Sequence, residues 1–227
     1  DLLLAQLPVH MFAFARLARA LRGQATLRHL PPMIRTAPVM FLSSALFNAV
    51  PVVMQQTMYG RSQIEATAMF GIVLLFSAPV VLMVATLRMH LLPHVLGAGS
   101  RAEAFRPYRG KLVAPFVGMI VVFAPLSVGA FIHVIYGADH PHAGVIAVAY
   151  LSLTGVATCI GLLNMWCQRG NLIYAELIAN AARFAAVGAV CYFVDDPLRM
   201  IVSSAAIYPI IELALFVFLA FHGSRRK

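Results

Sequence analysis

Six stretches of at least 20 mostly apolar residues constrain this chain more than any other feature: Ala37 to Met58, Ala66 to Leu87, Leu112 to Tyr136, Ala143 to Trp166, Asn171 to Phe193 and Pro197 to Phe221. A helix of about 20 apolar residues covers the hydrocarbon core of a bilayer. Within lipid each backbone donor and acceptor must be satisfied inside the segment, and a helix does this unaided. A water-soluble alternative fails on composition. The chain is 61% hydrophobic and 11% charged, against roughly 45–50% and 25% for soluble domains. The expectation is an all-α integral membrane lobe of six transmembrane helices.

Turn-forming sequences separate the stretches: Tyr59-Gly60-Arg61, Gly137-Ala138-Asp139, Arg169-Gly170-Asn171 and Asp195-Asp196-Pro197. Short connections make successive helices antiparallel neighbours. Of 17 Lys and Arg, 14 fall on one alternating side: Arg16, Arg19, Arg22, Arg28 and Arg35, then Arg88, Arg101, Arg106, Arg109 and Lys111, then Arg169, then Arg225, Arg226 and Lys227. The other side holds only Arg61 and Arg199, and Arg183 lies within a stretch. Cytoplasmic loops carry the basic excess, so both ends of the six-helix region are expected in the cytoplasm. The acidic Glu65, Asp139, Asp195 and Asp196 gather on the outer side.

This placement also accounts for the net charge of +9. The basic residues sit between apolar runs rather than on one polar face, so nucleic acid is not an expected partner. Cys159, Cys167 and Cys191 form no C-x-x-C pair and read as packing residues. His140-Pro141-His142 beside Asp139 lacks further ligands at defined spacing, so no metal site or cofactor is expected. No phosphate-binding glycine loop, nucleophile elbow or metalloprotease motif occurs, and nothing points to an enzyme.

Ionisable side chains within membrane spans are costly and usually face a cavity or one another. Three stand inside the stretches: Glu176, Arg183 and Glu212. Arg183 and Glu212 lie near the middle of consecutive antiparallel helices. Glu176 precedes Arg183 by seven residues, two helical turns, which puts both on one face. Two readings stand side by side. The stripe lines a polar pathway, with Arg183 drawing an anionic headgroup or the carboxylates relaying protons; or Arg183 and Glu212 are a neutralised pair that sets helix register. Asn48, Gln55 and Gln56 form a second polar group on the first stretch, lining the pathway or bonding between helices. Ala175, Ala179, Ala182 and Ala186 permit close helix approach. Prolines recur at Pro38, Pro51, Pro79, Pro115, Pro125 and Pro209, each removing a backbone donor.

Six spans with cytoplasmic ends, a long basic connection after the second, Ile135-Tyr136-Gly137 at the outer end of the third, and the turn from Asn164 to Gly170 together resemble the carboxyl-terminal half of polysaccharide flippases of the multidrug/oligosaccharidyl-lipid/polysaccharide exporter superfamily. The resemblance runs from Arg16 onward. It implies one lobe of a two-lobe transporter in a bacterial inner membrane, moving an undecaprenyl-diphosphate-linked oligosaccharide by alternating access for polysaccharide or O-antigen synthesis. An amino-terminal lobe would be its intramolecular partner. Residues 1–15, with Leu2 to Phe14 apolar, then read as the end of a preceding span, 16–36 as a basic linker, 37–221 as the lobe, and 222–227 as a basic tail. A cation-coupled drug exporter of the same superfamily, with Glu176 or Glu212 cycling a proton, and a non-transporting scaffold are the alternatives.

Overall fold

The computed structural model describes residues 30–100, 103, 113–165 and 173–224. Expectations for residues 1–29, for Arg101, Arg106, Arg109 and Lys111, for Arg169 and for Arg225 to Lys227 fall outside them. Contacts divide the chain into Asp1–Met40 and Phe41–Lys227. The helix packing of the lobe belongs to the second unit, and the first holds only the start of the first helix among the described residues.

The described residues are helical, with no strand among them. In order they are α1 (Leu30–Gly60), α2 (Ile64–Gly97), α3 (Val113–Gly118), a π-helical turn (Met119–Phe123), α4 (Ala124–Tyr136), α5 (Ala143–Leu163), α6 (Ile173–Phe193) and α7 (Pro197–Ser224). Six helices are long and apolar enough to cross a membrane, with α3, the π turn and α4 forming one continuous span. The chain is thus an all-α, multi-pass membrane lobe. Its surface agrees: Phe41, Leu75, Val134, Ile178 and Phe221 point outward, and Val134 is 82% exposed, a placement that lipid, unlike water, favours.

Three helices run three or more residues beyond the stretches read in the sequence. Helix α1 begins at Leu30, inside the stretch that reads as linker, with Pro31 and Pro32 in its first turn, where a proline's missing N–H has no helical partner to lose. Helix α2 continues past Leu87 to Gly97 and carries Arg88, His90 and His94. Helix α7 continues to Ser224. Charge marks the edge of an apolar stretch, but backbone hydrogen bonding carries the helix through it.

Local chemistry explains the ends. Helix α1 closes in a Schellman motif, with Gln63 N–H donating to Met58 C=O and Ser62 N–H to Tyr59 C=O, both at 2.9 Å. Ser62 takes the left-handed position with φ 59°, a place glycine usually fills. Helix α7 starts on an Asp196 cap, whose carboxylate accepts from the N–H groups of Leu198 (2.8 Å) and Arg199 (3.0 Å), with Pro197 as first helical residue. The π turn sits just ahead of Pro125, whose ring crowds the carbonyl four residues back; a wider turn relieves that crowding.

Helix α5 is the hub, packed closely against α4, α7 and α2. Glycines set its approach to the third span. A Cβ on Gly155 would stand 3.0 Å from the Ile120 carbonyl oxygen in the π turn, and Gly129 and Gly144 meet backbone to backbone. The main core gathers Met54, Phe70, Ile132, Ala147, Tyr150, Met200 and Tyr208. Of the four alanines singled out in α6, Ala175 and Ala179 pack against Leu215 and Leu219 of α7, while Ala182 is exposed. Among the described glycines, Gly129 of α4 and Gly144 of α5 make the closest backbone approach between helices.

Candidate functional site

Helix α6 is the least apolar of the six spans. Arg183 stands midway along its 21 residues and is 1% exposed, the largest fully buried side chain described. An isolated guanidinium there would be strongly unfavourable in a low-dielectric interior, so its surroundings must supply both countercharge and acceptors. Its Nη2 donates to Glu212 Oε1 of α7 at 2.5 Å. Its Nη1 donates to Asn180 Oδ1, one turn earlier on α6. Its guanidinium carbon lies 5.1 Å from the Phe47 ring centroid and 5.0 Å from that of Tyr208, two rings that touch each other. Those faces offer cation–π attraction from α1 and α7.

Each of these partners is itself held. Asn180 Nδ2 donates to Ser43 Oγ (2.7 Å) and to the Ser43 carbonyl (3.3 Å) on α1. Asn164 Nδ2, just past the end of α5, donates to Glu212 Oε2 (2.7 Å) and to the Glu212 carbonyl (2.8 Å). Tyr208 shares a side-chain hydrogen bond with Tyr150 of α5, and its ring meets Phe47 edge-on at 5.8 Å. Gly161 leaves room beside the carboxylate, since a Cβ there would stand 3.5 Å from Glu212 Oε2. One buried ion pair thereby ties α1, α5, α6 and α7 together. Arg183 Nε alone of its donors has no hydrogen-bond partner among the described residues.

The structure brings Arg183 and Glu212 together and takes Glu176 elsewhere. Glu176, in the first turn of α6, accepts from Arg88 Nη2 of α2 at 3.2 Å, with both side chains partly exposed. The face shared by Glu176 and Arg183 is thus divided between two ion pairs. Asn48 is exposed and donates to the carbonyl (2.9 Å) and hydroxyl (3.3 Å) of Ser44 in its own helix. Gln56 is exposed, while Gln55 is half-buried and turned toward Gly71 of α2. Ser44, Asn48 and Gln56 therefore lie on the outside of α1, with the exposed Val52 between Asn48 and Gln56, apart from the Arg183 network. The sequence reading misses Asn180, Phe47 and Tyr208. Asn180, three residues before Arg183, and Tyr208, four before Glu212, share a helix face with a charge, which makes them candidates without showing contact; nothing in the spacing marks Phe47.

A second cluster joins three connections at one end of the lobe. Arg61 donates to the carbonyls of Val194 (2.7 Å) and Tyr192 (3.1 Å) and pairs with Asp195 at 3.4 Å. Gln63 Nε2 donates to the Asp195 carbonyl at 2.8 Å. His140 Nδ1 lies 3.5 Å from Glu65 Oε1. The α1–α2 turn is so fastened to the α6–α7 turn and set against the α4–α5 turn. This is the alternation expected of antiparallel spans joined by short connections.

In comparisons with known proteins, no family model, no curated protein and no solved structure matches the chain.

Proposed function

We propose that the chain is a lobe of a bacterial inner-membrane translocase that passes a lipid-linked oligosaccharide from the inner to the outer leaflet, with both ends of the lobe cytoplasmic. The observation that carries the reading is the desolvated Arg183–Glu212 pair at mid-span, which joins α6 to α7 and is tied to Asn164 directly and to α1 through Asn180 and Ser43. A guanidinium presents parallel N–H groups that fit a phosphate as well as a carboxylate. The diphosphate of such a cargo would compete with Glu212 for Arg183, and the displaced carboxylate would keep its bond to Asn164. Ion-pair exchange of this kind couples cargo to helix arrangement, because Glu212 and Arg183 belong to different helices. The exposed polar pair Ser44 and Asn48 supports the same reading, since it suits a sugar-bearing path better than lipid tails. The positions of Lys and Arg along the sequence support the orientation.

Transport in vesicles tests this. Purified protein reconstituted into liposomes should move an undecaprenyl-diphosphate oligosaccharide between leaflets, and Arg183→Ala should abolish movement while Glu176→Gln leaves it intact. Proton-gradient-driven export of a cationic drug, lost in Glu212→Gln, would instead establish the exporter. A lobe that moves neither cargo and tolerates neutralisation of Glu176, Arg183 and Glu212 would be a scaffold.

A further inference from the structure

We infer that the segment of α1 from Phe41 to Asn48 is a gate over Arg183, hinged between Phe47 and Pro51 and latched by the Ser43–Asn180 hydrogen bonds. The inference takes from the translocase reading only that Arg183 must become reachable.

The two halves of α1 are held very differently. Beyond Pro51 the helix is fixed: Met54 and Met58 are fully buried in the main core with Val50, and the Arg61 and Gln63 clamp pins its end. Before Pro51, Phe41, Leu42, Ser44, Ala45, Phe47 and Asn48 are exposed, and within this segment Ser43 alone is buried. Among the described residues, α1 has no extended close backbone pairing with another helix, unlike α4, α5, α6 and α7. Its inner half is attached through Ser43 to Asn180 and through the Phe47 ring to Arg183 and Tyr208.

The junction falls where the helix is weakest. Pro51 has no N–H to give the carbonyl four residues earlier, which belongs to Phe47. The missing rung therefore lies immediately beside the ring that covers the guanidinium. Bending there would carry Ser43 and Phe47 away together while Met54 and Met58 stay packed. It would take the Phe47 ring off the guanidinium, whose Nε lacks a hydrogen-bond partner among the described residues. Glu212, Asn164 and Tyr208 lie outside α1 and need not move, so the cation stays neutralised as it is uncovered.

The test uses the protein in native membranes, with its own cysteines replaced and one new cysteine at a time. In Leu46→Cys, half-buried on the same segment and outside the latch, the thiol should react with a small water-soluble methanethiosulfonate at a measurable rate. Adding Asn180→Ala should raise that rate about tenfold, the scale on which one buried hydrogen bond biases a two-state equilibrium. Adding Pro51→Ala, which restores the donor, should lower it several-fold. Met54→Cys should stay protected in every background. Parallel reactivity of both cysteines would mean general loosening, and an unchanged rate with Pro51→Ala would remove the hinge; either overturns the gate. Should Pro51→Ala not assemble, spin labels at the exposed Phe41 and Ile178 decide the matter: two distance populations support the gate, and a single narrow one overturns it. Neither measurement needs cargo, so failure of oligosaccharide flipping with the gate intact would count against the translocase reading alone.

Discussion

Gly129 and Gly144 face each other so closely that a Cβ built on Gly129 would lie 2.9 Å from the Gly144 oxygen, and one on Gly144 would lie 2.7 Å from the Gly129 oxygen. No side chain separates α4 from α5 at this crossing. In lipid, where apolar surface gains little by leaving the solvent, such contact is a principal source of helix association.

Substituting Gly144→Val should therefore force the two helices apart, at a cost of at least the ~1–3 kcal/mol typical of overpacking. The readout is the midpoint of thermal unfolding in detergent. Gly161→Ala is the matched control: its Cβ would meet Glu212 at an ordinary 3.5 Å, and the midpoint should hardly move.

The Arg183–Glu212 pair predicts a strong asymmetry between single and double variants. Arg183→Met leaves Glu212 without its cation, and breaking one side of a buried pair costs about 3–5 kcal/mol. Arg183→Met with Glu212→Leu removes both charges and should recover most of that loss, as measured by unfolding in detergent. Recovery of stability without recovery of transport would separate the pair's architectural contribution from its working one.

Glu176→Gln should behave differently. Its partner Arg88 is nearly half exposed, and ion pairs of that kind contribute about 0–1 kcal/mol. Stability and flipping should both stay near those of the unaltered protein, whereas Glu212→Gln should reduce flipping sharply.

At the clamp, Arg61→Ala should speed amide hydrogen exchange through residues 190–196, because it releases two carbonyls at the end of α6. The loss should be about 2 kcal/mol of local protection, the scale of hydrogen bonds to a charged donor. Asp195→Asn should do little, since that carboxylate is 92% exposed. Ser62→Gly should slow exchange at the α1–α2 turn by removing a left-handed serine, a conformation that costs L-residues about 1–2 kcal/mol.

Much of this architecture is legible in the sequence because lipid imposes simple rules. Tyr136, Ala143, Phe193 and Pro197 end or begin helices where the apolar stretches do. Arg183 and Glu212 declare themselves, since a charge in an apolar run needs a partner and consecutive antiparallel helices bring the two to similar depth. The same rule misleads for Glu176. An Arg88 read as part of a loop is hidden as the cation that Glu176 bonds, because helix α2 runs on to Gly97. Phe47, Asn180 and Tyr208 stay hidden because neutral groups in an apolar run carry no such demand. Which of them meets Arg183 depends on how each helix is rotated about its axis, which residue spacing along a single helix does not determine. The π turn is marked only by Pro125 just beyond it, because hydropathy along an unbroken apolar run reads alike at any helical pitch.

The length of α2 has a mechanical consequence. Its 34 residues, at 1.5 Å each, extend about 51 Å, against a hydrocarbon thickness of about 30 Å. Set upright, the rod overhangs the bilayer by roughly 20 Å, so a 10° lean would carry its free tip sideways about 3–4 Å further than a membrane-length helix. Small rocking of the bundle would thus arrive at the membrane surface magnified, with the Arg88–Glu176 contact lying along the lever arm.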